Sequence, residues 1–366
     1  MPPFHLQQGG QMDCHACDGG RYDAHGGYRR CRRHDNLLLL TGERRIQMEI
    51  LPRRDFLMGA AAFAALPPLA ALSRGMDCPS AAQRPIRRSE ERQGKLVANW
   101  QRAAADVLPE DYVAYQRDGD TRDFKVLVAC ERAFDKVLRE AQETVVAGDV
   151  PAIWSVYNMG YIVKTRKSLF SIDLRHRRDC EFASLLDFAL ITHNHPDHWR
   201  RDFYRTMTDF GKIVASNFLK DNLGFNAIKG ESAKCVGTYS LGDVEIRTSL
   251  IDHFDAAWGI DFTMAYEIKI GNFILYHTGD SGRGTVPKLN TVWGQPDLWL
   301  FFPGCGINVA DAVRKVNAKR IVFGHLWELG HAESGRLNEP RIRRALAAAK
   351  PICNDTSVAF WGDRII

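Results

Sequence analysis

The sequence predicts an α/β fold, a helical segment followed by a region built mainly from strands, and three observations carry the prediction. Within residues 95–148, Phe124, Leu127, Val128, Phe134, Val137, Leu138, Ala141 and Val145 recur at roughly three- and four-residue spacing, the stripe of an amphipathic helix. From Pro151 onward short apolar, β-rich runs dominate, and several stop at a histidine or an aspartate. Gly271-Asn272 joins two of these runs, a dipeptide suited to a tight hairpin turn.

The chain divides in order. Pro52-Arg53-Arg54-Asp55-Phe56-Leu57-Met58 leads into the apolar run 59–72, which at about 14 residues is short for a membrane span and right for a signal core. Residues 48–82 thus resemble a bacterial twin-arginine export signal, with Ser80-Ala81-Ala82 offering a cleavage site before Gln83. The resemblance implies the twin-arginine export machinery as a partner and a periplasmic or otherwise exported location. Such a leader belongs near the amino terminus, so Met48 is the expected natural start and residues 1–47 a non-native, disordered upstream extension. Cys14, Cys17, Cys31 and His34 within that extension lack the apolar surroundings of a zinc knuckle. Residues 83–94 are polar and basic and read as a linker. The helical segment, 95–150, is expected to pack on a catalytic domain formed by residues 151–366. Residues 338–350 read as a last helix, stopped by Pro351.

Chemistry concentrates after the apolar run Phe188-Ala189-Leu190-Ile191, where Thr192-His193-Asn194-His195-Pro196-Asp197-His198 places three of the chain's 12 histidines and a carboxylate together. A solvated His-rich turn is the plain alternative, but that concentration weighs against it. Imidazole nitrogen and carboxylate oxygen are the donors that suit Zn²⁺ and related divalent ions. The same arrangement repeats downstream. His253 ends the strand-like stretch from Val244, Asp280 closes Phe273–Gly279, and His325 follows Arg320–Gly324, while Asp173 follows Leu169–Ile172 upstream. Alone, each would pass as a structural histidine or turn residue. Apolar runs that converge at one edge of a layered sheet bring such distant residues around a shared centre.

The spacing His193-x-His195-x-Asp197-His198, with His253, Asp280 and His325 following in order, resembles the signature of the metallo-β-lactamase superfamily over residues 151–366. The resemblance implies a four-layer αββα sandwich, here preceded by the helical segment. It implies one metal on His193, His195 and His253, a second on Asp197, His198 and His325, and Asp280 bridging the two. Two divalent cations, zinc by default with manganese or iron acceptable to the same donors, would share a hydroxide able to cleave an ester, lactone, amide or phosphodiester bond in a small molecule. Asp197 and Asp280 are the expected catalytic carboxylates. Asp173, His277 and His331 are expected to support the ligands or touch substrate, and Trp258, Tyr276 and Trp327 flank them with packing as the equal alternative.

Other classes lose ground on the residues. The net charge of +5 resides wholly in residues 1–95, which hold 15 basic and 10 acidic residues, whereas 96–366 hold 34 of each. The folded part is therefore neutral, and nucleic acid is not an expected partner. No stable membrane span is expected, and the sequence leaves the oligomeric state open. Beyond position 82 five cysteines remain, Cys130, Cys180, Cys235, Cys305 and Cys353. The odd number leaves at least one unpaired within the chain, and none shares the ligand spacing. Within the resembled family a cysteine at the Asp280 position marks one β-lactamase class, so aspartate counts modestly against antibiotic hydrolysis. The alternatives are a β-lactamase, a mononuclear iron sulfur-oxygenase of the same fold held by two histidines and an aspartate, and a noncatalytic export-pathway binding protein. Diiron electron-transfer members carry a glutamate where this chain has His195.

Overall fold

The computed structural model describes residues 88–216, 218, 227–228, 237–255 and 260–366. The expected leader and its upstream extension, Cys235 and Trp258 lie outside the described residues.

Helix begins before the expected boundary, inside the stretch read as linker. Ser89 is extended and accepts a hydrogen bond from the Arg92 backbone N–H, and Glu90 and Glu91 occupy the first turn of α1 (Glu90–Ala105). A serine cap and early acids satisfy and neutralise the exposed N–H groups of a helix start. The polar composition of 83–94 concealed this because Val97 and Ala104 supply the buried side of α1. The helical segment is also broken. Leu108, extended as residues before proline are, sets off α2 (Pro109–Asp118), and Gly119 closes it with φ 74°. The third helix, α3 (Lys125–Glu143), buries Leu127, Phe134, Val137 and Ala141 from the predicted stripe, while Val145 is 86% exposed. Burying each large apolar side chain contributes roughly 1.5–3 kcal/mol.

Two sheets complete the chain. The first runs in the order β1 (Ala152–Ser155), β2 (Tyr161–Lys164), β3 (Leu169–Ile172), β4 (Phe188–Leu190), β5 (Ile213–Ala215) and β6 (Ala227–Ile228). The second is β7 (Gly237–Leu241), β8 (Val244–Asp255), β9 (Ile260–Ile270), β10 (Phe273–His277), β11 (Leu298–Phe301), β12 (Ile321–Phe323) and β13 (Thr356–Val358). Each sheet starts with antiparallel neighbours and continues with parallel ones, from β3 onward in the first and from β10 onward in the second. Parallel neighbours need crossovers. Among the described residues these contain α4 (Cys180–Ala183) and α5 (Arg201–Asp209) beside the first sheet, and α6 (Val309–Val316) and α7 (Glu339–Ala349) beside the second. The expected hairpin is present: Gly271, at φ 55°, links β9 to β10. The last helix begins at the Asn338 cap.

The sheets face each other across a continuous apolar core. Tyr266 on β9 donates its hydroxyl to the Ile191 and Ala215 carbonyls at the ends of β4 and β5, at 2.7 and 3.1 Å. α3 covers β2, and its Phe134 packs edge-on against Phe182 of α4, while α7 covers β13. The result is a four-layer αββα sandwich. α1 packs on both α3 and α7 and thereby straddles the two outer layers.

Candidate metal centre

Strand ends deliver the chemistry. Asp173 directly follows β3, His193 to His198 follow β4, Asp280 follows β10, and His325 follows β12. His253 differs from its expected place because β8 does not stop there. The strand runs on to Asp255, and its pairing with β9 slips between Asp252 and Asp255. Such irregularities re-aim side chains at functional edges. Glycines permit the close approach of these segments, since a Cβ on Gly282 would overlap the His253 carbonyl.

The predicted residues come together in two groups. In one, ligand atoms of His193, His195, His253 and Asp280 lie within 4.8 Å of one another; in the other, those of Asp197, His198 and His325 do. His193 Nε2 is 3.0 Å from His195 Nδ1 and 3.2 Å from His253 Nε2. Asp280 faces both groups, 3.9 Å from His253 Nε2, 3.0 Å from His325 Nε2 and 3.4 Å from His198 Nε2. Asp197 Oδ2 lies 3.3 Å from His198 Nε2 and 3.2 Å from His325 Nε2.

Charge divides the groups. Burial, aided by neighbouring imidazoles, holds His193 well below the usual histidine range and brings His195 down to about 4. Burial also disfavours charge on His198 and His325, but the Asp280 and Asp197 carboxylates override it. They raise His198 well above its ordinary value and His325 to about 10. In turn burial would lift the two carboxyls, yet His198 and His325 hold both well below the carboxylate range. Oδ1 of Asp197 and of Asp280, and Nε2 of His198 and His325, are buried without a well-formed hydrogen bond among the described residues. Clustered imidazoles, buried acids and orphaned donor atoms are what divalent cations satisfy together, so these residues fit metal.

A second ring of contacts fixes the groups. Asp173 is fully buried and accepts from the Thr192 backbone and hydroxyl at 2.7 Å each, and its Oδ2 is 2.9 Å from His198 Nδ1. A carboxylate there sets which imidazole nitrogen faces the centre. Asn158 donates Nδ2–H to Asp197 Oδ2 at 2.7 Å, a role that no spacing in the sequence signalled. Three of these residues have left-handed backbones, Asn158 at φ 53°, Asp173 at φ 46° and His325 at φ 58°. Asparagine, aspartate and histidine are the non-glycine residues that reach this region most often.

Beside the centre lies a cavity of about 1080 Å³, lined by His195, His253, Asp280 and His325, by residues 302–310 and by one side of α7. His331 lines it, its ring 6.3 Å from that of His325. His277 does not; it is buried, accepts the Gly279 N–H at 3.2 Å and packs on Tyr161. Tyr276 and Trp327 are likewise buried away from the cavity, Trp327 stacked on Trp100 with its ring N–H donated to Gln101. Cys305 lies in the cavity wall at φ 47°. Among the described residues Cys130, Cys180, Cys305 and Cys353 form no disulfide.

Solved structures match the chain at low identity. A possible metal-dependent hydrolase from Veillonella parvula is 12% identical over 59% of this chain and 98% of its own, with a TM-score of 0.46. YhfI from Bacillus subtilis, a metallo-β-lactamase fold protein, is 15% identical over 60% and 92%, with a TM-score of 0.41. CmlA, a diiron β-hydroxylase from Streptomyces venezuelae, is 14% identical over 60% of this chain and 54% of its own, with a TM-score of 0.44. No protein-family profile and no curated protein matches the sequence.

Proposed function

We propose that the chain is a binuclear, zinc-dependent metallohydrolase acting on an ester, lactone, amide or phosphodiester bond of a small molecule. The observation that carries the reading is the position of Asp280, whose carboxylate faces both histidine groups. His193, His195 and His253 would hold one ion, Asp197, His198 and His325 the other, with Asp280 between them. When bound, such ions supply a nucleophile by making water acidic near neutral pH and polarise the bond under attack. The chain's own part is to orient and to exclude water. Asp173 and Thr192 fix the imidazole of His198 and the segment carrying His193, Asn158 fixes Asp197, and the cavity gives substrate its place beside them. Asp197 and Asp280 would also serve the reaction as carboxylates whose negative charge offsets the repulsion between the two ions.

Elemental analysis joined to a hydrolase screen of esters, lactones, phosphodiesters and β-lactams tests the proposal. About two zinc per chain with turnover of one class supports it. One iron per chain with no hydrolysis would replace it with an oxygenase. The export proposal rests on Arg53-Arg54 and the apolar run behind them; N-terminal analysis of secreted material, with a product beginning near Gln83, is its check.

A further inference from the structure

One wall of the cavity carries solvent-exposed positive charge that nothing in the metal centre uses. Arg341, Arg344, Ala345 and Ala348 of α7 all line the cavity, and their spacing of three, four and seven places them on one helical face. Ile342, Ala345 and Ala349 anchor the helix to the core. Arg343, by contrast, forms an ion pair with Glu339 at 2.6 Å. Arg341 finds only the Arg336 carbonyl at 3.4 Å, and neither Arg341 nor Arg344 has a carboxylate partner among the described residues. Asp280 is the one acid among the described residues lining the cavity, and it faces the histidines.

We propose that Arg341 and Arg344 recognise an anionic group of the substrate, so that the substrate is a small molecule carrying a carboxylate or comparable oxyanion away from the bond that is cleaved. This rests on the hydrolase reading for the bond but not for the anion. Guanidinium forks match planar or tetrahedral oxyanions through paired hydrogen bonds. Two of them a helical turn apart present a surface that neutral substrates leave unpaired. Arg341 and Arg344 are thus specificity residues, binding the end of the molecule that does not react.

Two ester probes of matched length separate charge from shape: 4-nitrophenyl butyrate, which is neutral, and mono-4-nitrophenyl succinate, which is anionic. The metal-loaded enzyme is expected to favour the succinyl ester in kcat/KM by about tenfold or more, since a charge-assisted contact of this kind amounts to one such factor or better. In the double variant Arg341→Ala, Arg344→Ala that ratio collapses toward one, chiefly through KM, and Lys at both positions restores part of it. Calorimetric titration with succinamate, in the wild type and the double variant, reads anion binding without turnover. Binding weakened about tenfold in the variant upholds the site. If neither ester is hydrolysed but that binding difference stands, ester cleavage is removed from the hydrolase reading and the anion site remains. Equal succinamate binding by the two proteins, or none by either, overturns the proposal whatever the kinetics.

Discussion

His195 sits where two tests meet, since it is in the histidine group and lines the cavity. His195→Ala should abolish turnover and remove up to one metal per chain, with the far-ultraviolet spectrum unchanged; full metal content with normal turnover would take His195 out of the centre. Asp173→Asn acts a step further back. It keeps the shape but weakens the hold on His198, and it should reduce metal affinity about 10–100-fold, read by competition with a chromogenic chelator. His176 gives a pH prediction outside the centre. It is buried, stacked on Phe134 at 4.1 Å and 3.0 Å from the Tyr115 hydroxyl. Burial lowers its pKa to about 3; Glu131 opposes this, while Arg177, Arg178 and Arg175 reinforce it. Between that value and the ordinary 6.5 the unfolded chain binds the extra proton. This contribution to stability is therefore complete above about pH 6.5 and declines as pH falls toward 3, at up to about 1.4 kcal/mol per unit. Urea denaturation at pH 7 and pH 5 should show a smaller acid loss in His176→Gln than in the wild type. At this scale the sequence was most legible where chemistry is local. The His193–His198 cluster announces itself, whereas Asn158 and His176 acquire their roles from partners 39 and 61 positions away.

The helices before the sandwich hold the wall that carries His325. Arg336, fully buried on the loop after β12, donates to the Ala104 carbonyl at 2.6 Å, to Val107 at 2.8 Å and to Leu329 at 3.0 Å. Trp100 of α1 stacks on Trp327 at 5.6 Å, and the buried Glu328 accepts from the Tyr157 hydroxyl and from the Gly330 and His331 N–H groups. Arg336→Ala strands several buried carbonyls, each costing about 1–3 kcal/mol when left unsatisfied. The expected loss is therefore several kcal/mol in urea unfolding, with weaker metal binding because the His325 loop loosens. An unchanged midpoint would show that the loop stands without the helices. Periodicity revealed α3, since Leu127, Phe134, Val137 and Ala141 of its stripe are buried, while Val145 falls beyond the helix end. It missed the break at Leu108-Pro109, the Ser89 start and the run of β8 past His253, because caps, a pre-proline residue and a strand slip leave little trace in apolar spacing.

Across the whole molecule, the centre ties the two sheets together: β3 and β4 of the first and β8, β10 and β12 of the second all contribute to it or end beside it. Ions held there would act as a clasp between the sheets. Removal by chelation should lower the melting temperature by at least about 5 °C, as expected for a ligand present at a hundred times its dissociation constant. Restoring zinc should reverse the shift, and calorimetry with and without chelator checks both. The order of layers was legible only through the family that the ligand spacing resembles, because apolar runs ending in ligands do not by themselves set it. The pairing of α1 with both outer layers was not, since it arises from contacts with α3 and α7, which are distant in sequence or follow a break in the helical segment.

The left-handed backbones at Asn158, Asp173 and His325 narrow what mutation can do to this protein. Glycine is the residue most at ease at those angles, so local energetics invite it at each position. Each position also needs a side chain to hold or orient a ligand. Comfort and usefulness thus point to different amino acids, and a saturation library selected for turnover should be depleted of glycine at all three, although the same library sorted for thermal resistance alone would tolerate it.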